Sequence, residues 1–248
     1  MTATTPPPAA GSSRERILAR IRAALADVPA AGRPEDVPVV RDYAETHVPE
    51  EEGALLDLLA ANLADYRAQV HRCDEDELPA WVARLLAEHG SRSAVVPSGL
   101  PERWLSAVDG VELLPATDAL GAVELDAVDS VITGCALAIA ETGTIVLDAG
   151  PDQGRRMLTL VPDHHICVVH APDQVVDSVP QALPRLDATR PMTWISGPSA
   201  TSDIELDRVE GVHGPRTLDV ILVGPADGGP ADGERADGAP GDGDAADG

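Results

Sequence analysis

One carboxylate stands inside a long run of small and apolar side chains. Glu141 interrupts residues 132–147, and Thr142, Gly143 and Thr144 follow it directly. A carboxylate placed in this way can serve as a nucleophile, a base or a hydrogen-bond acceptor, and the glycine lets the backbone approach a ligand. A hairpin turn with a solvated glutamate fits the same pattern. Glu141 is therefore a candidate catalytic residue, and Thr142, Gly143 and Thr144 are candidate ligand-binding residues.

A loop rich in hydroxyl groups follows an apolar run that ends at Ile195. In an open α/β sheet, such a loop lies at the carboxyl end of a strand, where ligands bind. Its backbone N–H groups and hydroxyls can hold a phosphate or a carboxylate without lysine. A turn that ends in a helix cap is the structural alternative. The candidate ligand-binding residues of this loop are Ser196, Gly197, Ser199, Thr201 and Asp203.

A third segment combines arginine and histidine pairs. Arg155 and Arg156 precede an apolar stretch, and His164 and His165 stand at the start of another. Because successive strand residues point to opposite faces, at most one of the two histidines faces a given pocket. A polar start to the strand is the alternative, and no HxH or HExxH spacing supports a metal site. Arg155 and His165 are candidate ligand-binding residues, and we expect no metal site.

The last candidate is a turn that combines an imidazole with a guanidinium. His213 and Arg216 stand in the sequence 211–216, just before a final apolar run. Histidine moves protons near neutral pH, and arginine clamps carboxylates and phosphates. A solvated turn fits the pattern equally well. His213 is thus a second candidate catalytic residue, and Arg216 a candidate ligand-binding residue.

Composition excludes several function classes. The 248-residue chain carries a net charge of −24, which repels nucleic acid and anionic lipid surfaces, so we expect neither as a partner. The basic residues are all arginine, which removes Schiff-base and P-loop lysine chemistry. Cys73, Cys135 and Cys167 form no CxxC pair and are too few for the four thiolates of a usual iron–sulfur cluster. With no signal peptide or membrane span, a cytoplasmic protein is predicted.

Hydrophobic periodicity predicts an α/β fold. Ser12 followed by Glu15 is typical of a capping box and predicts a helix over Ser13–Asp27, and two more helices are expected near residues 55–66 and 78–86. Alternating helices and strands favour a largely parallel sheet, whereas the short turn at 141–144 predicts an antiparallel pair. We expect one mixed, largely parallel sheet flanked by helices. Its strands are predicted at Gln69–Arg72, Ser93–Val96, Val111–Leu114, Ile139–Ala140, Ile145–Leu147, Ile166–Val169, Met192–Ile195 and Leu218–Val223.

The two ends of the chain differ in composition from its middle. An Ala-Asp-Gly repeat with a five-residue period fills the C-terminus, with seven acidic residues, one arginine and no apolar side chain larger than alanine. Such a segment cannot anchor a core. The predicted organisation is a disordered N-terminus over 1–12, a helix and linker over 13–50, an α/β domain over 51–224 and a disordered acidic tail over 225–248.

Four segments, in this order along the chain, resemble the lactate utilization protein C family, whose members carry the LUD domain. They are Thr133–Leu147 with the central sequence Ala-Glu-Thr-Gly-Thr, Pro162–Val169, Ser196–Ile204 and Gly211–Pro215. The resemblance covers roughly residues 68–223. It implies a fold similar to ribose-5-phosphate isomerase, the CoA transferases and 5-formyltetrahydrofolate cyclo-ligase, often called NagB/RpiA/CoA transferase-like.

The resemblance also implies a function. Proteins of this family look like the third component of a three-protein system that oxidises L-lactate to pyruvate, whose other two members carry iron–sulfur clusters. We therefore expect iron–sulfur partner proteins, a small anionic ligand and no cofactor in this chain, which favours a non-redox subunit over an independent enzyme. The alternative is a free-standing enzyme acting on a CoA thioester or a phosphorylated substrate. By fold analogy, Glu141 would then be its nucleophile, in one cleft with His213 and Arg216.

Overall fold

A computed structural model of the chain describes residues 12–27, 44, 46, 53–201, 209–211 and 213–224, with the backbone alone at residues 201, 209 and 210. The chain forms two units, Met1–Tyr43 and Ala44–Gly248. Part of the predicted linker, the segment after residue 201 and the acidic tail lie outside the described residues.

The described part of the first unit is one helix, α1 (Ser13–Ala24). Its start is fixed by the predicted capping box: Glu15 N–H donates to Ser12 Oγ at 3.3 Å, and Ser12 N–H donates to Glu15 Oε2 at 2.7 Å. These two bonds satisfy backbone donors that the helix itself leaves unpaired. The helix ends three residues before the predicted boundary and contains no buried residue.

The second unit alternates strands with helices. Its helices are α2 (Ala54–Asp65), α3 (Leu78–His89), α4 (Ala122–Asp126) and α5 (Val179–Ala182). Its strands are β1 (Gln69–Cys73), β2 (Ser93–Val96), β3 (Glu112–Pro115), β4 (Ser130–Thr133), β5 (Leu137–Ile139), β6 (Thr144–Leu147), β7 (His164–His170), β8 (Val175–Val176), β9 (Thr193–Ile195), β10 (Ala200–Thr201), β11 (Val209–Glu210) and β12 (Thr217–Val223). Short 3₁₀ turns cover Glu102–Leu105, Arg156–Thr159 and Leu183–Arg185.

Six strands form a parallel sheet in the order β1-β12-β7-β4-β2-β3. Its centre is β7, which pairs with β12 along seven residues, from His164 opposite Thr217 to His170 opposite Val223. All residues of β7 but the last are buried, as expected for a central strand of a parallel sheet covered on both faces. The predicted α/β class with a largely parallel sheet flanked by helices is confirmed.

The two faces of the parallel sheet pack against different elements. On one face, Ile166, Val168 and Ile221 contact the buried side of α3. On the other face, Cys167 and Val220 join a core with α2 and the second sheet. Because the side chains alternate along β7, this one strand contributes to both layers.

The second sheet has four strands in the order β8-β5-β6-β9. β5 and β6 are antiparallel, with Ile139 opposite Thr144, so the predicted hairpin around residues 141–144 is confirmed. It lies in this separate mixed sheet and not in the main one, because β5 pairs with β8 and β6 pairs with β9. β10 and β11 form a two-stranded antiparallel ribbon. None of the helices in the described ranges is long and apolar enough to cross a bilayer.

Candidate functional site

A pocket of about 240 Å³ opens beside the amino ends of β7 and β12. His165 and Leu218, the second residues of these two strands, form its floor together with the 3₁₀ turn that ends at Thr159. The loop after β9 and the loop before β12 complete the lining. This pocket brings together five of the predicted site residues: His165, Ser196, Gly197, Ser199 and His213.

His165 is a buried polar side chain of this pocket, as is Thr159. It is 1% exposed, and its Nε2 lies 2.8 Å from Thr133 Oγ1 in the neighbouring strand β4. Burial, followed by the charge of His164, lowers the pKa of His165 to about 3. A protonated imidazole would lose its hydration there. His165 therefore faces the pocket as a neutral ring, with one nitrogen that donates a hydrogen bond and one that accepts.

Ser199 ties the two loops of the pocket together. Its N–H donates to Pro215 O at 2.8 Å, its carbonyl accepts from Gly211 N–H at 2.9 Å, and its Oγ accepts from His213 N–H at 3.0 Å. His213 itself is exposed. We call residues 196–199, which follow β9, the serine loop. These three bonds fix the loop that carries His213 to the serine loop.

Gly197 meets a backbone requirement in this loop. Its φ is +80°, and a Cβ at this position would lie 2.3 Å from the carbonyl oxygen of Tyr66. A side chain would be strained by the dihedral angle and would also collide with the backbone that follows α2. The neighbouring Ser196 Oγ lies 2.9 Å from Thr144 Oγ1. The serine loop is thus seated against both α2 and the β5–β6 hairpin.

Glu141 lines a different pocket. It is exposed at the tip of the β5–β6 hairpin, in a depression of about 420 Å³ with Asn62, Asp65, Tyr66 and Thr142. Asn62 Nδ2 donates to the carbonyl oxygens of Ala140 and Glu141, at 2.7 and 3.0 Å, and so fixes the turn to α2.

The threonines link this hairpin to the first pocket. Thr142 Oγ1 donates to Thr144 Oγ1 at 2.8 Å, and Thr144 in turn contacts Ser196. Gly143, with φ of +57°, packs against Asn62, which leaves no room for a Cβ. Thr142, Gly143 and Thr144 therefore support the hairpin and the serine loop, and only Thr142 lines either of these two pockets.

The two predicted anion-binding arginines lie elsewhere. Arg155 lines a third depression and donates through Nη2 to the carbonyl oxygens of Thr117 and Leu120. Arg216 is exposed and pairs with Asp163, with Nη1 2.9 Å from Oδ2. Glu141, His213 and Arg216 therefore share none of the described pockets. Two further candidates are not placed: the side chain of Thr201 and the whole of Asp203 lie outside the described residues.

The serine loop follows a strand as predicted, but that strand belongs to the second sheet. The loop lies at the carboxyl end of β9, which pairs antiparallel with β6, and it lines a pocket together with residues at the amino ends of β7 and β12. The loop is thus at the end of its own strand, as expected, but outside the parallel sheet. A pattern of apolar residues identifies a strand without identifying its sheet.

A buried polar network lies on the opposite face of the parallel sheet and was not predicted. Asp219 of β12 receives two imidazole groups: His71 Nε2 at 2.6 Å from Oδ1 and His164 Nε2 at 2.9 Å from Oδ2. His164 Nδ1 lies 2.8 Å from Ser130 Oγ, which lies 2.6 Å from Ser91 Oγ. His164 and His165 thus occupy opposite faces, which agrees with the predicted alternation.

Charge in this network is concentrated on Asp219. Burial by itself raises the pKa of a carboxyl group, but the hydrogen bonds from His164 and His71 outweigh it and lower the pKa of Asp219 below its ordinary value. His89 stacks on His164 with ring centroids 4.1 Å apart. Burial and the neighbouring His164 lower the pKa of His89. The network is a carboxylate surrounded by imidazoles, and its members come from four strands, one helix and the loop before β2.

Metal sites in proteins are built mainly from His, Cys, Asp and Glu side chains. Among the residues that the structure describes, no group of three or more His, Cys, Asp or Glu side chains is arranged to hold a metal ion. Cys73, Cys135 and Cys167 are all buried thiols. Burial, followed by the negative charges of Glu77, Asp74 and Glu75, raises the pKa of Cys73 to about 12.

Residues 56–223, which contain both pockets and the network, match the family model of the LUD domain. The chain belongs to the LUD domain family. This LUD-domain protein is 44% identical to "Lactate utilization protein C" of Deinococcus radiodurans over 225 residues, which cover 89% of this chain and all of that protein. It is 37% identical to "Lactate utilization protein C" of Bacillus subtilis over 100 residues, or 37% of this chain and 41% of that one.

A solved structure shares the fold of this LUD-domain protein. It is the crystal structure of a DUF162 family protein from Deinococcus radiodurans, which matches with a TM-score of 0.61 and 40% identity. The match covers 71% of this chain and all of the solved chain. The predicted family is therefore confirmed, together with the α/β fold.

Proposed function

We propose that this protein acts in lactate utilization as a component that binds a small anionic ligand. The full-length similarity to a protein named "Lactate utilization protein C" is the observation that carries this proposal. The proposed system oxidises L-lactate to pyruvate through three proteins. Iron–sulfur clusters are expected in the partner proteins, and none in this chain, whose three cysteines cannot supply the four thiolates of a usual cluster.

The pocket at the amino ends of β7 and β12 is the proposed ligand site. It presents hydroxyl groups from Ser196 and Ser199, a neutral imidazole from His165 and an exposed imidazole from His213. None of its described lining residues is arginine. A small carboxylate carries one negative charge, which a few hydrogen bonds can hold, whereas a phosphate carries up to two and gains more from guanidinium partners, so the lining suits a carboxylate better.

The separate position of Glu141 favours this binding role over the alternative of a CoA transferase-like enzyme. That alternative expects Glu141, His213 and Arg216 in one cleft, whereas Glu141 and His213 line different pockets. Glu141 at the hairpin tip then remains a candidate for ligand or partner contact.

Growth on L-lactate tests the proposed function. A strain lacking the chromosomal copy, and any second lactate dehydrogenase, would be complemented with the wild type, with Glu141→Gln and with Ser196→Trp, which adds an indole to the lining of the pocket. We expect growth with the wild type and Glu141→Gln but not with Ser196→Trp. Ser106→Trp is the matched control and should also support growth, since Ser106 is exposed and lies outside the pocket.

Two outcomes would contradict the proposal. Normal growth of the deletion strain on L-lactate would remove the protein from lactate oxidation. If Glu141→Gln is folded and expressed at the level of the wild type but does not support growth, the functional site would instead be the hairpin pocket that Glu141 lines. Calorimetric titration with L-lactate and pyruvate, on the wild type and on Ser196→Trp, measures the binding step by itself.

A further inference from the structure

Helix α1 carries an apolar stripe that is open to solvent. Ile17, Ile21 and Leu25 are spaced four residues apart and therefore lie on one face of the helix. Their exposed fractions are 58%, 49% and 55%, and the helix contains no buried residue. A face of this kind is the usual contact surface of a helix that packs against another body.

The charge of α1 is opposite to that of the chain. Four arginines and one glutamate lie in its twelve residues, a net of 4 − 1 = +3, whereas the whole chain has a net charge of −24. On the helical wheel, Arg14 lies in line with the stripe at its N-terminal end, Arg20 lies on one side of it with Arg16 farther round the helix, and Arg22 lies on the other side. A partner that buries the stripe therefore meets guanidinium groups along both of its edges.

The helix has little stability of its own. Helices of about 12 residues are marginal in water, and most helices in proteins are held by packing of their apolar face. The capping box at Ser12 and Glu15 favours the start of α1, but it contributes only about 1 kcal/mol. Burial of the stripe would supply the missing stabilisation.

We propose that α1 is a docking helix for a partner protein whose surface has an apolar groove rimmed by carboxylates. The three apolar side chains fill the groove in the manner of other helix-in-groove contacts, and the arginines pair with its acidic rim. This inference does not depend on the proposed function, since it names the partner by its surface chemistry alone.

Two other occupants fit the observations less well. Helices that lie on membranes usually carry aromatic residues on the apolar face, and α1 has none, while the chain's charge of −24 opposes approach to an anionic surface. A pair of α1 helices from two copies would bring two charges of +3 together.

Site-specific crosslinking in living cells tests the proposal. A photo-crosslinking amino acid replaces Ile21 in the full-length protein, with a matched replacement at Leu183, which is 54% exposed elsewhere in the fold. We expect a defined adduct at position 21 and not at position 183. The partner is identified by mass spectrometry and then purified for binding measurements, in which its acidic surface can be assessed directly.

Affinities of α1 variants for the purified partner test whether the apolar stripe and the arginines make the contact. Ile17→Glu/Ile21→Glu should weaken the affinity for the purified partner at least tenfold, without disfavouring the helix, because glutamate is a better helix former than isoleucine. Arg16→Glu/Arg20→Glu should weaken binding and reduce its dependence on salt. Leu183→Glu should leave the affinity unchanged.

Several results would overturn the proposal. These are adducts to a second copy of this chain only, a partner without an acidic surface, and equal affinities of the wild type and the isoleucine variant. Binding of the wild type, but not of that variant, to vesicles of equimolar phosphatidylcholine and phosphatidylglycerol, with no protein adduct, would assign α1 to membranes instead.

Discussion

His165 links the acid sensitivity of the fold to the candidate ligand site. Its pKa is about 3 in the folded protein, against about 6.5 in an unfolded chain. Below pH 6.5 the unfolded state therefore binds more protons than the folded state does, and stability falls with falling pH down to about pH 3. The loss amounts to about 1.4 kcal/mol for each pH unit.

We expect His165→Gln to flatten this pH dependence. Between pH 7 and pH 5, the wild type should lose about 2 kcal/mol more of its free energy of unfolding than the variant does. Urea denaturation at the two pH values measures the difference. Equal slopes for the wild type and His165→Gln would contradict the assignment.

Asp219 holds the network on the other face of the sheet. Asp219→Asn leaves one acceptor oxygen where two imidazole N–H groups converge, and we expect it to lower the free energy of unfolding by about 3 kcal/mol at pH 7. Thermal or urea denaturation measures this loss.

The control for this prediction is Asp163→Asn, which breaks the exposed pair with Arg216 and should cost less than about 1 kcal/mol. Since the pKa of Asp219 is lowered in the fold, its contribution is present above about pH 4 and is lost as the pH falls through the folded value. A difference between wild type and Asp219→Asn that persists unchanged at lower pH would argue against a charged carboxylate in this network.

For single residues, the sequence predicts contacts and directions that depend only on near neighbours in the chain. The capping box needs only Ser12 and Glu15, three residues apart, and the opposite directions of His164 and His165 follow from strand geometry alone. The Asp219 network was not predictable, because His71 and Asp219 are 148 residues apart and meet only through the pairing of β1 with β12. The aspartate within the apolar run 218–223 is the sequence feature that could have indicated a buried polar contact, but not its partners.

Among the elements, the serine loop depends on one glycine. Gly197→Ala would place a Cβ 2.3 Å from Tyr66 O at a φ of +80°. We expect the loop to move away from α2, with a loss of about 2 kcal/mol in stability and a weaker affinity of the pocket for its ligand. Differential scanning calorimetry and ligand titration measure the two effects.

A matched glycine separates contact from dihedral strain. Gly90 has φ of +70°, but nothing lies within 4 Å of the position of its Cβ. Gly90→Ala should therefore cost only about 1 kcal/mol and leave ligand binding unchanged. Equal effects of the two substitutions on binding would show that Tyr66 does not hold the loop.

Elements with a full local pattern were predicted well. Ser93–Val96 is β2 as predicted, and the glycine-containing turn gave the antiparallel pair β5 and β6. The division into two sheets was not predictable, because each strand of the hairpin chooses its outer neighbour, β8 or β9, through contacts distant in sequence. The position of the serine loop beside the amino ends of β7 and β12 was not predictable for the same reason.

For the whole molecule, the acidic tail stays a prediction from composition. Residues 225–248 contain seven acidic residues and one arginine, a net of 1 − 7 = −6. Removing them should change the net charge from −24 to −18. The melting temperature should stay within about 2 °C, because the segment contains no large aliphatic or aromatic side chain that could anchor a core. Calorimetry and electrophoretic mobility measure the two quantities. A large drop in melting temperature would show that the tail contacts the fold.

The alternation of side chains along β7 limits where the chain can gain or lose a residue. Its alternate residues serve different faces, with His164 in the Asp219 network and His165 in the pocket. Insertion or deletion of one residue within this strand would exchange the two faces, so that both sites would be lost in a single event. Substitutions at either face are independent by comparison. The protein can thus change its ligand and its stability separately by point mutation, but changes in chain length must fall in the loops around β7.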